Sequence, residues 1–254
     1  MVSIGATLHA ARLPALTKDC SIPPNCRFEV ADAEEEDWNF SEQFDFIHGR
    51  ALVTCFKNPR SVVERIYKNL APGGYFELQD PCLPLRCDDG TLEGTALAEW
   101  NRLMYEGMLQ IGKDLKENLS YGQYMRDVGF EDVVETHTAC AFNTWPKGDK
   151  NKLLGALSMH NLLEGVDSMS RALFTRVFGW SADRLEEFLV QVKEDLKNRK
   201  VHVYCGVYFV HGRKPLVEKE AEPASSKAEP AASEAEPAAS EAPAAEQTTN
   251  EETI

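Results

Sequence analysis

The chain has 254 residues, 43% of them hydrophobic, enough for one large domain or two small ones with a real core. Its net charge is −14, of which ten acidic residues and two lysines from Glu218 onward supply −8, leaving −6 on the body. An acidic body argues against non-specific nucleic-acid binding, which rests on cations neutralising phosphates. The seven cysteines form no CxxC pair and read as reduced thiols of a cytosolic or nuclear protein. Cys82 and Cys87 have no histidine near them, and the six histidines show no ligand spacing, so a metal site is not expected. No serine sits in a G-x-S-x-G elbow. Residues 1–16 are too short and broken for a membrane span or a signal peptide, so the sequons at Asn39 and Asn118 carry no weight.

In chain order, RFEVAD (27–32) and FDFIHG (44–49) read as strands. Asn58 is placed to cap a helix with Pro59 as its first residue, and Val62, Val63, Ile66 and Leu70 make its apolar stripe. Pro72-Gly73-Gly74 is expected to end that helix and feed the strand YFELQD (75–80). Strand, helix and strand in this order form a βαβ unit with parallel pairing and a right-handed crossover. Residues 91–112 then show helical spacing, Ser120 opens a short helix ending near Gly129, and residues 131–142 read as a strand. Residues 149–178 are helical in pattern, and Ser181 opens a further helix with acids early and bases late, matching the dipole. VHVYCGVYFVHG (201–212) closes the body as a long buried strand.

The predicted domain is 1–216, and 217–254 is a tail. It holds three copies of a seven-residue repeat, AEPASSK, AEPAASE and AEPAASE, over 221–241. Each copy contains a proline and no a/d apolar pair, so it reads as a disordered acidic extension rather than a coiled coil. Solubility or a docking role would suit it.

Open parallel sheets bind ligands beyond the carboxyl ends of their strands. Those ends are Asp32-Ala33, His48-Gly49-Arg50 and Gln79-Asp80. Taken with IPPNCRFEVADAEEEDW, FDFIHGR, LAPGGYFELQDP, DDGTLEG, WPKGDKNK, LFTRVFGWS and HVYCGVYFVHGRKP, they make the body resemble fungal class I S-adenosylmethionine-dependent methyltransferases of the secondary-metabolism-regulator type. The resemblance covers most of 22–215. It implies an α/β fold with a doubly wound, mostly parallel seven-stranded sheet, N-terminally incomplete, with a helical insertion before a last antiparallel strand. It also implies S-adenosylmethionine as cofactor. Asp32, with Ala33 beside it, matches the acid that accepts from the adenine amino group; as a bare residue it reads as a turn initiator in an acidic loop. His48 and Arg50 fall near the methionyl portion, although a half-buried histidine and a surface arginine are ordinary in themselves. His48 is the one candidate for a base. Asp80 and Glu77 could face the acceptor, and the helix carrying Trp100, Tyr105 and Glu106 resembles the acceptor-binding cover, with Glu106 as the contact.

One element of the resemblance is missing. The family's first strand ends in G-x-G-x-G, which lets backbone approach the cofactor; this sequence has no such run. Residues 2–8 resemble a remnant of the second strand, with Thr7 where the family carries the acid that clasps the ribose. Three or four apolar residues on a central strand contribute about 6–10 kcal/mol, at roughly 1.5–3 each, comparable with a domain's whole stability. The expectation is therefore a truncated chain with impaired cofactor binding. Two functions follow: methyl transfer to a small-molecule or protein acceptor, or a non-catalytic regulatory module with a protein partner. Neither nucleic acid nor membrane is expected as a partner.

Overall fold

The computed structural model describes residues 2–4, 32–35, 38 and 40–216. The elements are β1 (Val2–Ile4), β2 (Phe44–Arg50), α1 (Pro59–Asn69), β3 (Leu70–Arg86), α2 (Ala96–Gln110), a 3-10 turn (Glu117–Ser120), α3 (Tyr121–Val128), β4 (Glu131–Ala141), α4 (Asp149–Arg176), α5 (Ala182–Lys197) and β5 (Tyr204–Arg213). The chain divides into a compact unit Met1–Glu218 and a second unit Lys219–Ile254, and the tail lies outside the described residues.

Among the described residues one sheet runs β1-β2-β3-β5-β4. β1, β2 and β3 are parallel, and β5 is antiparallel to both its neighbours. Alternation along the strands gives the sheet two apolar faces. Ile47, Phe76, Leu78 and Val210 pack on one face against Val62, Val63 and Ile66 of α1 and Met125 of α3. Leu85, Val203 and Cys205 pack on the other against Trp100 of α2, Phe174 of α4 and Leu189 of α5. Helices on both faces of a mostly parallel sheet make the fold a doubly wound α/β fold, and α4 and α5 are the helical insertion between β4 and the antiparallel β5.

Local chemistry explains the elements. Asn58 Oδ1 accepts from the Ser61 N–H and Pro59 begins α1, as the sequence predicts. Ser181 caps α5 by accepting from the Arg184 N–H. Three expectations change. The helix predicted over 91–112 starts only at Ala96, because the Thr95 hydroxyl accepts from the Ala98 N–H and residues 90–95 form turns. Pro72-Gly73-Gly74 does not delay the strand: β3 begins at Leu70, paired with Phe44. The reason is Lys214. Its carbonyl accepts from Gly73, which sits at φ +80, its own N–H donates to Gly74, and its buried Nζ donates to the Leu70 carbonyl. Finally, Val2–Ile4, within the stretch expected as a remnant of the second strand, pairs directly with Ile47–Gly49 with no strand between them. The sheet has five strands rather than seven among the described residues, and the strand expected over 27–32 lies outside them except for Asp32.

Candidate functional site

At the carboxyl ends of β2 and β3 the backbone turns sharply. Ala51 and Thr54 adopt positive φ, 55° and 69°, a conformation that L side chains rarely hold unless their surroundings enforce it. Here Asp80 does so. Its Oδ1 accepts from the Leu52 N–H at 2.7 Å, while the Ala51 N–H donates to the Gln79 carbonyl at 3.0 Å. Asp80 is 1% exposed, and burial pushes its carboxyl above the ordinary carboxylate range. The Tyr121 hydroxyl lies against this carboxyl but falls short of hydrogen-bond geometry, so Asp80 Oδ2 and Tyr121 OH are each buried without a partner. Asn118 Nδ2 reaches the Asp80 carbonyl at 3.5 Å, and its Oδ1 is unpartnered as well. Burial, and then the Asp80 charge, raises the Cys55 thiol, and Lys113 Nζ ties α2's end to the loop through the Phe56 carbonyl at 2.7 Å.

The acidic turn docks onto this loop. Asp32 is exposed; its Oδ1 accepts from the Glu34 N–H at 2.8 Å and its carbonyl from the Glu35 N–H. Glu34 Oε1 in turn accepts from the N–H groups of Lys57 and Asn58, at 2.7 and 3.0 Å, at the head of α1. Ala33 and Trp38 pack against the apolar cluster beneath, and the Trp38 indole donates to the Ala33 carbonyl. The Asp32–Ala33 turn and the loop after β2 thus share one rim. Gly49 does not open that rim: an added Cβ would stand 2.6 Å from Leu52 and 2.7 Å from Leu78, so the glycine serves packing.

Other expected residues are elsewhere. His48 points from the sheet face opposite Ile47, and its Nδ1 faces Glu77 Oε2 at 3.1 Å with both side chains partly buried. Glu77 alternates with Asp80 along β3, so the His48–Glu77 pair and Asp80 occupy opposite faces. Arg50 is exposed at the end of β2, opposite Gln79. Glu106 pairs with Arg102 on its own helix surface at 2.7 Å. Thr7 lies outside the described residues. Asn118, Tyr121 and Lys113 escaped the reading of the sequence, because residues that converge from a separate loop and helix leave no spacing signal.

Residues 9–135 match the family model described as a methyltransferase domain, half of the chain. The chain is 37% identical over 191 residues to the probable methyltransferase tdiE of Emericella nidulans, a match over 74% of this chain and 59% of that one. It is 29% identical over 202 residues to the secondary metabolism regulator laeA of Aspergillus fumigatus, over 76% of this chain and 52% of that one. The solved structure of the cyclopropane synthase MmaA2 from Mycobacterium tuberculosis aligns with 80% of this chain and 66% of its own at 14% identity, with a TM-score of 0.42. The chain therefore spans between 52% and 59% of the length of these curated relatives. The matched stretch takes in the docked acidic turn, β2, β3 and the Asp80 cluster, and by that match the chain belongs to the S-adenosylmethionine-dependent methyltransferase family.

Proposed function

We propose that the chain carries the adenine-side half of an S-adenosylmethionine site, on a fold suited to methyl transfer to a small-molecule or protein acceptor, and holds that cofactor only weakly by itself. The cofactor supplies a methyl group already activated on a sulfonium, so the protein's share is alignment and exclusion of water. One observation carries the reading. The Asp32 turn is pinned by Glu34 to Lys57 and Asn58, and among the described residues no hydrogen bond engages Asp32 Oδ2. That oxygen is available to an amine donor, with Ala33 alongside, and the exposed Arg50 guanidinium suits a carboxylate. The fit fails at the other end: the sequence has no glycine-rich turn, and Thr7 offers one hydroxyl where a carboxylate would take two ribose hydroxyls. His48, committed to Glu77 on the far face, gets no catalytic part in this reading. Asp80 acts as a support for the loop after β2 rather than as an acceptor contact. Glu106 keeps an acceptor role only by giving up its Arg102 partner.

Calorimetric titration of the full chain with S-adenosylmethionine tests this. The expected Kd is weaker than about 100 μM, and Asp32→Ala should abolish the remaining heat. A Kd of a few micromolar overturns the weak hold, and an affinity unchanged in Asp32→Ala overturns the assignment of that carboxylate.

The likeness to a relative named as a secondary metabolism regulator favours a second reading, a non-catalytic module that works through a protein partner in the cytosol or nucleus. The acidic repeats would then be a docking arm. Among the described residues no helix is long and apolar enough to cross a membrane. Affinity capture with and without residues 217–254 decides: a partner lost with the tail supports the module, and no partner in either case removes it.

A further inference from the structure

A second concave site lies at the β4 edge of the sheet. A groove of about 580 Å3 opens between the carboxyl half of β4, the start of β5 and the segment 145–154. That volume is within the roughly 300–1,000 Å3 of small-molecule sites. Its floor is aromatic: Tyr204 and Tyr208 share one face with Gly206 between them, opposite Ala139, and the Tyr208 ring folds back over Gly206, 2.9 Å from where a Cβ would stand. Tyr208 stacks on His137, with ring centroids 5.4 Å apart and planes 20° apart. Trp145 is one wall, and the half-exposed Leu154 lies at the outer side.

The Trp145 wall is held in place by groups that spend their full hydrogen-bonding capacity. Asn143 is 1% exposed at φ 139°; its Nδ2 reaches the carbonyls of Leu196, Asn198 and Val201, each at 3.2 Å, and its Oδ1 accepts from the Trp145 N–H at 2.9 Å. The Trp145 indole donates to the Val203 carbonyl at 3.2 Å and lies 5.0 Å from the His202 ring. His202 bonds Asp89, and that bond, followed by those from Thr91, holds the Asp89 carboxyl well below the usual range. At the rim the Tyr204 hydroxyl donates to Asp88 at 2.7 Å, so Asp88 is engaged. Arg86, also lining the groove, is exposed and makes no ion pair among the described residues.

A preformed aromatic groove with an exposed guanidinium that makes no ion pair among the described residues selects for a flat ring bearing an anionic group. We propose that this groove binds a planar aromatic carboxylate, its ring stacked on Tyr208 and beside Ala139 and Trp145 and its carboxylate on Arg86. The site needs no cofactor, so it stands or falls apart from the methyl-transfer reading.

Calorimetry on the full chain without S-adenosylmethionine, using 2-naphthoate and its uncharged partner 2-naphthamide, is the test. Saturable binding of naphthoate is expected, about tenfold tighter than the amide. Arg86→Gln, an exposed change that leaves the melting curve intact, should bring naphthoate down to the amide's level. Ala139→Trp should remove both; if that variant misfolds, the acid–amide comparison in Arg86→Gln decides alone. No saturable binding, equal affinity for acid and amide, or an Arg86→Gln variant that still prefers the acid overturns the proposal.

Discussion

The cleft after β2 and the groove beside β4 use one device with opposite results. Each holds non-glycine backbone at positive φ with a buried side chain: Asp80 beneath Ala51 and Leu52, and Asn143 at its own position. Asn143 has partners for both its oxygen and its amide, and the loop that carries Trp145 is fixed as a result. Around Asp80, three buried polar atoms are left without partners. Unspent polar capacity costs stability, so the cleft is the softer region and the groove the stiffer. Sites that must rearrange around a ligand are drawn from the low-stability end of a structure, which suits the cleft to a cofactor and the groove to a preformed fit.

The sharpest way to break the contrast is Gly155→Ala on α4. An added Cβ would overlap the Asn143 carbonyl oxygen, which is backbone and cannot swing away. A loss of about 3 kcal/mol in denaturant unfolding is expected, with naphthoate binding lost as well. Asn143→Ala follows, at about 2 kcal/mol, because it leaves the Leu196 and Val201 carbonyls unpaired and puts alanine at positive φ. Trp145 fluorescence should turn solvent-like.

The cleft should respond in the other direction. Asp80→Asn keeps an acceptor for the Leu52 N–H and adds donors for the stranded oxygens, so it should stabilise the fold by about 1 kcal/mol at neutral pH. The pH profile checks the cause. A carboxyl raised by burial binds its proton more tightly folded than unfolded. Its contribution is therefore fully present below the unfolded value near 3.8 and is lost as pH rises through the folded value. Wild-type stability should fall across that interval, and Asp80→Asn should flatten this component. A wild-type profile that rises there would refute a carboxyl raised by burial. The smallest effect is expected from Arg102→Ala, under about 0.5 kcal/mol, because the Glu106 pair is a solvated helix contact in neither region.

Where the chemistry is local, the sequence is a good guide. Asn58 and Pro59 announce α1, and Ser181 with its acid-then-base order announces α5, because caps and dipoles act within one turn. The order β2, α1, β3 and the antiparallel β5 followed from periodicity and resemblance together. The Asp32 turn was half legible: both the turn and the free oxygen are present, but the grip of Glu34 on Lys57 and Asn58 is not written in any spacing. Asp80 illustrates the limit. A polar residue at a strand end looks the same whether it meets a ligand or, as here, is sealed beneath a loop 28 residues away in sequence. Likewise Pro72-Gly73-Gly74 reads as punctuation, and only Lys214, at the far end of the domain, makes it part of a strand. A three-residue strand such as β1 is too short to carry a pattern at all.

The position of β5 also constrains how the chain is made. Among the described strands it is the last to leave the ribosome, yet it lies between β3 and β4. Until residues 204–213 have been synthesised, β4 has no hydrogen-bonded neighbour among the described residues and the groove has no floor. Assembly of this half of the sheet must wait until Arg213 has emerged, and a nascent chain stalled before Tyr204 would expose β4 as an unpaired edge to any chaperone or aggregate within reach.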